Sequence, residues 1–351
     1  MTMLRRVAPA LALLVVAPLI AEFLLGDFNV RQLGFIIVFI PVYGAGALLI
    51  RELTRQARRG WPTMLVLSLA YALIMEGFTN QTLFNPNYAG QRLLDYGFIP
   101  ALGTSFDFAV YVLTLHVVWS IGSSVALVEG LAGARWCEPW LRLPGSVATA
   151  VLAVLGCAAT ASFTLRTFHF VASPAQFGAV AILVLLAIVT AFAGFRRNPH
   201  DRSGTASADT RDQGEGANRR APSFWLVLLV ALVLSSAFQR WFAYAPGHSV
   251  RPGLALAGLL GLELAAVALF AVWSRRVGWG ATHALAASLG AIVTYGWISL
   301  RRLVVAGGTS LGVPTTTVDV VGQATLLVVM LALGVLAWRK LSAVAADARV
   351  M

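Results

Sequence analysis

Few side chains in this chain could act chemically on another molecule, and several of those lie inside apolar runs. Glu76, His116 and Glu263 each fall within a stretch of apolar residues, where an ionisable group is costly unless it is paired or wetted. A carboxyl and an imidazole are natural partners for moving a proton. Asn80 follows Glu76 by one helical turn, so the two can share a face. His116, Ser120 and Ser123 or Ser124 form a polar stripe on a second run, and Tyr295, Ser299 and Arg302 form another. Glu22 and Asp27 close the first run, Arg166 and His169 close the fifth, and Gln239 and Arg240 close the seventh. From these residues we take Glu76 and His116 as the expected catalytic pair. Asn80, Asn85, Tyr88, Arg166, His169, Glu263 and Tyr295 are the expected substrate contacts. Glu22, Asp27 and Arg240 are placed at the headgroup level, where charge is cheap. Cys137 falls in a loop and Cys157 in a helix, so no disulfide is expected, and no Cys/His spacing suggests a metal site. The sequence names no cofactor.

The elements that position these residues are membrane helices. The 351-residue chain is 58% hydrophobic and 12% charged, where a soluble domain would carry about 25% charged residues. Its apolar blocks have the length that spans a hydrocarbon core. Ten spans are predicted, over 7–26, 32–50, 61–78, 106–127, 147–166, 175–195, 223–242, 254–273, 281–300 and 318–338. The fold class is therefore all-α, a polytopic transmembrane bundle. The N-terminal run is read as the first span rather than a cleaved signal, because no small-residue cleavage site precedes a polar segment.

The net charge of +11 would suggest nucleic acid in a soluble protein. Here most of the basic residues sit in alternate loops: after span two (Arg51, Arg55, Arg58, Arg59), after span four (Arg135, Arg142), and after spans six, eight and ten. That alternation is the positive-inside pattern, so both termini are placed in the cytoplasm, no nucleic-acid partner is expected, and the partner is the bilayer of the cell membrane. Residues 196–222 are polar and rich in Arg, Asp, Gly and Ser, and read as a disordered cytoplasmic linker between a six-helix part (1–195) and a four-helix part (223–351).

Placed by depth, the polar residues gather toward the outer side, with His283 the main exception. The long outer segment 79–105 carries Asn80, Asn85, Tyr88, Asp95 and Tyr96, and reads either as a lid over a polar cavity or as an interfacial loop anchored by its aromatics. Gly253, Ala257 and Gly261 recur at four-residue spacing and are expected to pack against a neighbouring helix. There is no glycine-rich phosphate loop ending in Lys-Ser/Thr and no His-Glu-x-x-His, so an ATP-driven motor is not expected.

The segments Ala21-Glu22-Phe23-Leu24-Leu25-Gly26-Asp27, Arg59-Gly60-Trp61-Pro62-Thr63, Glu76-Gly77 and Gln81-x-Leu83-Phe84-Asn85-Pro86-x-Tyr88 resemble a group of uncharacterised multi-pass membrane proteins of actinobacteria. A partial resemblance to the CPBP intramembrane glutamate proteases sets Glu76 at their second glutamate and His116 at their first histidine. Met75 and Asn80 stand where that pattern has Glu and Arg, Val112 where it has Phe, and Ala287 where it has Asn after His283. That resemblance implies that Glu76 would activate a water and His116 would stabilise an oxyanion.

Three functions are compatible with these residues. One is a membrane-embedded hydrolase or transferase acting on a lipid-linked or peptide substrate from the outer leaflet, with Arg166 binding an anionic group. The second is a secondary transporter of a small molecule, for which ten helices, midplane charges and an echo between spans three and four and spans nine and ten would be apt. The third is a non-catalytic membrane subunit in which every buried charge is neutralised by a partner.

Overall fold

The computed structural model describes residues 3–195, 220–309 and 311–350. Most of the linker expected over 196–222 lies outside the described residues. The ten predicted spans are ten helices: α1 (Arg6–Leu24), α2 (Val30–Gln56), α3 (Trp61–Thr79), α4 (Phe106–Arg135), α5 (Leu143–Phe168), α6 (Pro174–Ala193), α7 (Phe224–Tyr244), α8 (Pro252–Ser274), α9 (Ala281–Ala306) and α10 (Thr317–Asp347). Their starts follow local rules. Pro62, Pro144, Pro174 and Pro252 stand in the first turn of α3, α5, α6 and α8, where a missing N–H costs nothing. Ser173 and Ser223 cap α6 and α7 by accepting from the third backbone N–H.

Five helices form the centre. In α1, α2, α3, α4 and α9 between 44% and 61% of the apolar stretch is buried, against 11% to 22% in the other five. The outer helices show Val154, Leu155, Leu264 and Val267 on their free faces, each more than 60% exposed. Such surfaces suit lipid tails rather than water. The centre is tied by α4, which packs on α1, α3, α8, α9 and α10. Trp119 of α4 lies flat on Tyr295 of α9, with ring centroids 4.6 Å apart, and donates to the Ala291 carbonyl.

The glycine stripe on α8 does not pack: nothing lies within 4 Å of a Cβ built on Gly253 or Gly261. The close contact is instead at Gly258, under the Trp241 indole. Spacing alone identifies a smooth face, not whether a neighbour lies on it.

The central helices are not regular. Five π-helical segments occur among the described residues: Leu19–Leu24 in α1, Ile40–Gly44 in α2, Ile74–Thr79 in α3, His116–Ser123 in α4 and Arg302–Ala306 in α9. Each lies on a central helix. A π turn inserts a residue and leaves carbonyls without their usual donors. In α4, Ser123 and Ser124 donate to the carbonyls of Val118 and Trp119, five residues back, and so satisfy that turn.

The 79–105 segment folds over one end of the bundle. Its first part is buried (Gln81, Thr82, Leu83 and Asn85) and its second carries a short antiparallel pair, Phe98–Ile99 with Thr104–Ser105. Tyr96 donates to the Val250 carbonyl at 2.7 Å and Gln176 to the Leu102 carbonyl at 3.0 Å, which fix it to its neighbours.

Candidate functional site

Glu76 and His116 meet. His116 Nε2 lies 2.7 Å from Glu76 Oε1, and both residues are buried, at 4% and 3% exposed. Asn80 Nδ2 donates to the same oxygen at 3.3 Å, on the shared face its spacing predicted. The Thr82 hydroxyl donates to Glu76 Oε2. Thr82 can reach back because Gln81 adopts a left-handed backbone, φ +57, a costly conformation for a residue with a side chain. The Gln81 side chain holds the turn by accepting from the Ala172 N–H at 2.8 Å. His116 Nδ1 is buried and has no hydrogen-bond partner. The Tyr43 ring stacks on the imidazole, 5.8 Å between centroids and 11° between planes.

The cluster continues from this pair. The Tyr43 hydroxyl lies toward the Glu22 carboxyl, and the charge of Glu76 also acts on it. Burial, and then the carboxylates of Glu76 and Glu22, hold the Tyr88 phenol above its ordinary range. The Tyr88 ring packs on Phe168 at 4.6 Å. Asp27 Oδ1 lies 3.6 Å from Arg302 Nη1. Tyr295, 1% exposed, has a hydroxyl with no partner, and Tyr111, Asp27, Glu22 and Arg302 all act on it electrostatically. Tyr111 donates to Gln239 Oε1 at 2.9 Å, which leaves the buried Gln239 Nε2 unpaired. Glu22, Tyr43, Glu76, His116 and Arg302 each sit in one of the five π segments. Such turns are frequent where a helix has been re-aimed for a ligand. Glu22, Tyr43 and Tyr111 lie deep among the central helices yet keep accessible surface.

Other expected residues fall elsewhere. Arg166 and His169 are exposed at the end of α5, where His169 is the left-handed residue that stops the helix. Glu263 is half-buried between α8 and α4 and accepts from the Thr114 hydroxyl. Asn85, 3% exposed, accepts from the Asn87 N–H at 3.0 Å and so shapes the loop. Glu22 and Asp27, at the end of α1 and just beyond it, are half-buried. Tyr43 was missed altogether; an isolated tyrosine in an apolar run gives no periodic signal. Gly308-Thr309-Ser310-Leu311-Gly312 has the spacing of a hydrolase nucleophile turn, but Gly308 bridges to Pro314 rather than joining a strand to a helix. Ser310 itself lies outside the described residues.

A second buried polar network lies at the opposite end of the same helices. Arg51 and Arg55 belong to α2 rather than to the loop after it, because the helix runs on to Gln56. Both guanidinium groups bond Glu129 of α4, at 3.0, 2.9 and 2.8 Å. Glu52 accepts from Arg51 at 2.5 Å and from the backbone N–H groups of Trp140 and Leu141 at 3.1 and 3.0 Å. Arg51 also donates to the Trp136 carbonyl and lies over the Trp140 ring. Every acid here has a cation or N–H donors, as a network that fixes helix register should.

Residues 11–350 match the profile of an uncharacterized membrane protein family. The chain belongs to that family. No curated protein and no solved structure matches it. The family match and the ten apolar helices make it a multi-pass integral membrane protein of the lipid bilayer. No disulfide joins Cys137 and Cys157. Among the described residues no three His, Cys, Asp or Glu side chains converge to hold a metal ion.

Proposed function

We propose that this chain is a membrane-embedded hydrolase or transferase that handles a lipid-linked or peptide substrate entering from the extracytoplasmic side of the cell membrane. The observation that carries this reading is the buried Glu76–His116 pair, 2.7 Å apart, with His116 Nδ1 unpaired. When the imidazole donates its Nε2 proton to the Glu76 carboxylate, the Nδ1 lone pair is left to accept one. Nδ1 would take the proton from a water or hydroxyl as its oxygen bonds to the electrophilic carbon or phosphorus. It would return that proton to the leaving group as the old bond breaks. Glu76 orients the ring and stabilises the imidazolium, the role a carboxylate plays in a hydrolase triad. This division of labour reverses the one implied by the protease resemblance. Asn80 and Thr82 hold Glu76 still. Tyr88 closes over the pair from the 79–105 segment, which acts as a lid. Glu22, Tyr43 and Tyr111, deep yet accessible, line a polar cavity beneath it. Arg166 and His169 have no place in this scheme.

The contrast between the two buried networks supports a site over a purely structural role. At the Arg51–Glu129 end the charges are paired; at the Glu76 end polar atoms of His116, Tyr295 and Gln239 are buried without partners. A transporter remains the rival, since the series His116, Glu76, Glu22, Asp27 could pass protons. In lipid vesicles containing the full-length protein and host membrane lipids, mass spectrometry should detect a converted product. Glu76→Gln and His116→Gln should each slow its formation by at least about 100-fold while the protein stays monodisperse. Unchanged conversion in both variants would overturn the assignment. Solute uptake driven by a pH gradient, with no chemical product, would move the reading to transport.

A further inference from the structure

The Glu76 cluster gathers three carboxyls around one guanidinium and one imidazole. Glu22, Asp27 and Glu76 are three carboxyls, and Arg302 meets Asp27 at 3.6 Å. Glu76 is satisfied by the imidazole, an amide and a hydroxyl, all of which can be neutral donors. Glu22 forms no ion pair with a Lys, Arg or His among the described residues; the Tyr43 hydroxyl is what faces it. Two anions in a low-dielectric bundle without a counter-charge are unstable, so the cluster calls for a cation or for protons.

The shape of the cluster says which kind of cation. A metal ion needs several oxygen or nitrogen ligands about one point, and among the described residues no three His, Cys, Asp or Glu side chains converge. The groups are instead linked in series: the Tyr43 ring stacks on His116, its hydroxyl faces Glu22, and Glu22 and Asp27 both act on Tyr295. Carboxyl and hydroxyl oxygens in series suit the separate N–H donors of an organic ammonium. A second observation points to a ligand independently. The Tyr295 hydroxyl is buried and has no partner; across from Tyr111, Gln239 Nε2 is also unpaired. An acceptor and a donor are thus both left for something the chain itself does not supply. Arg302, at the end of the series and only partly buried, is placed to meet an anionic group next to that ammonium.

We infer that the substrate carries a primary ammonium group, bound between Glu22, Asp27 and Tyr295, with an adjacent phosphate toward Arg302. This deepens the proposed function and rests on reading the Glu76 cluster as a substrate site. The same chemistry is offered by an aminophospholipid headgroup and by a free phosphorylated amine, and the arms of the test separate them. Purified full-length protein in detergent is mixed with equal amounts of phosphatidylethanolamine and its N-acetyl derivative, which keeps the phosphate and lacks the charge. Native mass spectrometry reads the lipid retained. Phosphatidylethanolamine should be retained at least about tenfold over the N-acetyl lipid, and Glu22→Gln should bring the ratio near unity. Tyr295→Phe, which removes only a hydroxyl, should lower it less and guards against misfolding of the first variant. If soluble phosphoethanolamine binds with the same Glu22 dependence and neither lipid is preferred, the ammonium assignment stands and the source is a free amine. Equal retention of both lipids with no phosphoethanolamine binding overturns it, and the carboxyls are then neutralised by protons. Retention is read without turnover, so that failure would leave the Glu76–His116 chemistry intact. Conversion unaffected in the Glu76 and His116 variants would not by itself disturb the ammonium site.

Discussion

Buried charge takes two forms in this protein. Glu129 receives bonds from both Arg51 and Arg55 and is 2% exposed. Removing one partner of such a group leaves the others charged and unpaired, a loss of roughly 3–5 kcal/mol. Glu129→Ala should therefore lower the unfolding midpoint in micelles strongly. Glu263→Gln should move it little, since Glu263 is half-buried and its partner is a hydroxyl. Equal midpoints for the two variants would show that the Arg51–Glu129 network does not fix the bundle. His116 belongs to the other form. Its environment orients the ring and leaves Nδ1 open, an arrangement that stability alone would not select.

At the scale of elements, the π turns and one loop decide what meets what. Gly26 has φ +87 in the α1–α2 connection, and a Cβ built there would stand 2.9 Å from Ser299 Cβ, on the helix that bears Arg302. Glycine is thus required twice, for its backbone and for the close approach, and it sets Asp27 beside Arg302. Gly26→Ala should destabilise the protein by about 1–3 kcal/mol, read as a lower thermal midpoint. Exchange of the Asp27–Arg302 segment with solvent should rise at the same time. A wild-type midpoint and exchange rate would show that the α1–α2 connection can relax freely. Gln81, left-handed and not glycine, does the corresponding work for Glu76, and its side-chain bond to Ala172 offsets part of the cost.

For the whole molecule, the alternation of arginine-rich loops predicts the 79–105 segment outside and the Arg58 turn inside. Asn87 and Arg58 are both exposed. With Cys137 and Cys157 replaced by serine, Asn87→Cys should react with a membrane-impermeant maleimide on intact cells, and Arg58→Cys only after permeabilisation. The opposite pattern would turn the Glu76 cluster toward the cytoplasm and remove the outer-leaflet substrate. The central group of α1, α2, α3, α4 and α9 holds both polar networks, one at each end, while the five outer helices present apolar surface.

The number of helices and their limits were legible because hydrophobic length and cap chemistry are local. Each predicted span lies within a few residues of an observed one except at its polar end, where α2, α4, α9 and α10 run on by several residues. The Glu76–Asn80 face and the candidacy of His116 were legible too, through helical spacing and the cost of charge in hydrocarbon. What depended on tertiary structure was which helices lie inside. A lone charge reads alike on a central and a peripheral helix, which is why Arg166 and Glu263 ranked with Tyr295 while Tyr43 went unnoticed. The π turns that re-aim Glu22, Tyr43, Glu76, His116 and Arg302 have no composition of their own. They arise where packing between helices outweighs one regular hydrogen bond, and that balance is set only when the helices meet.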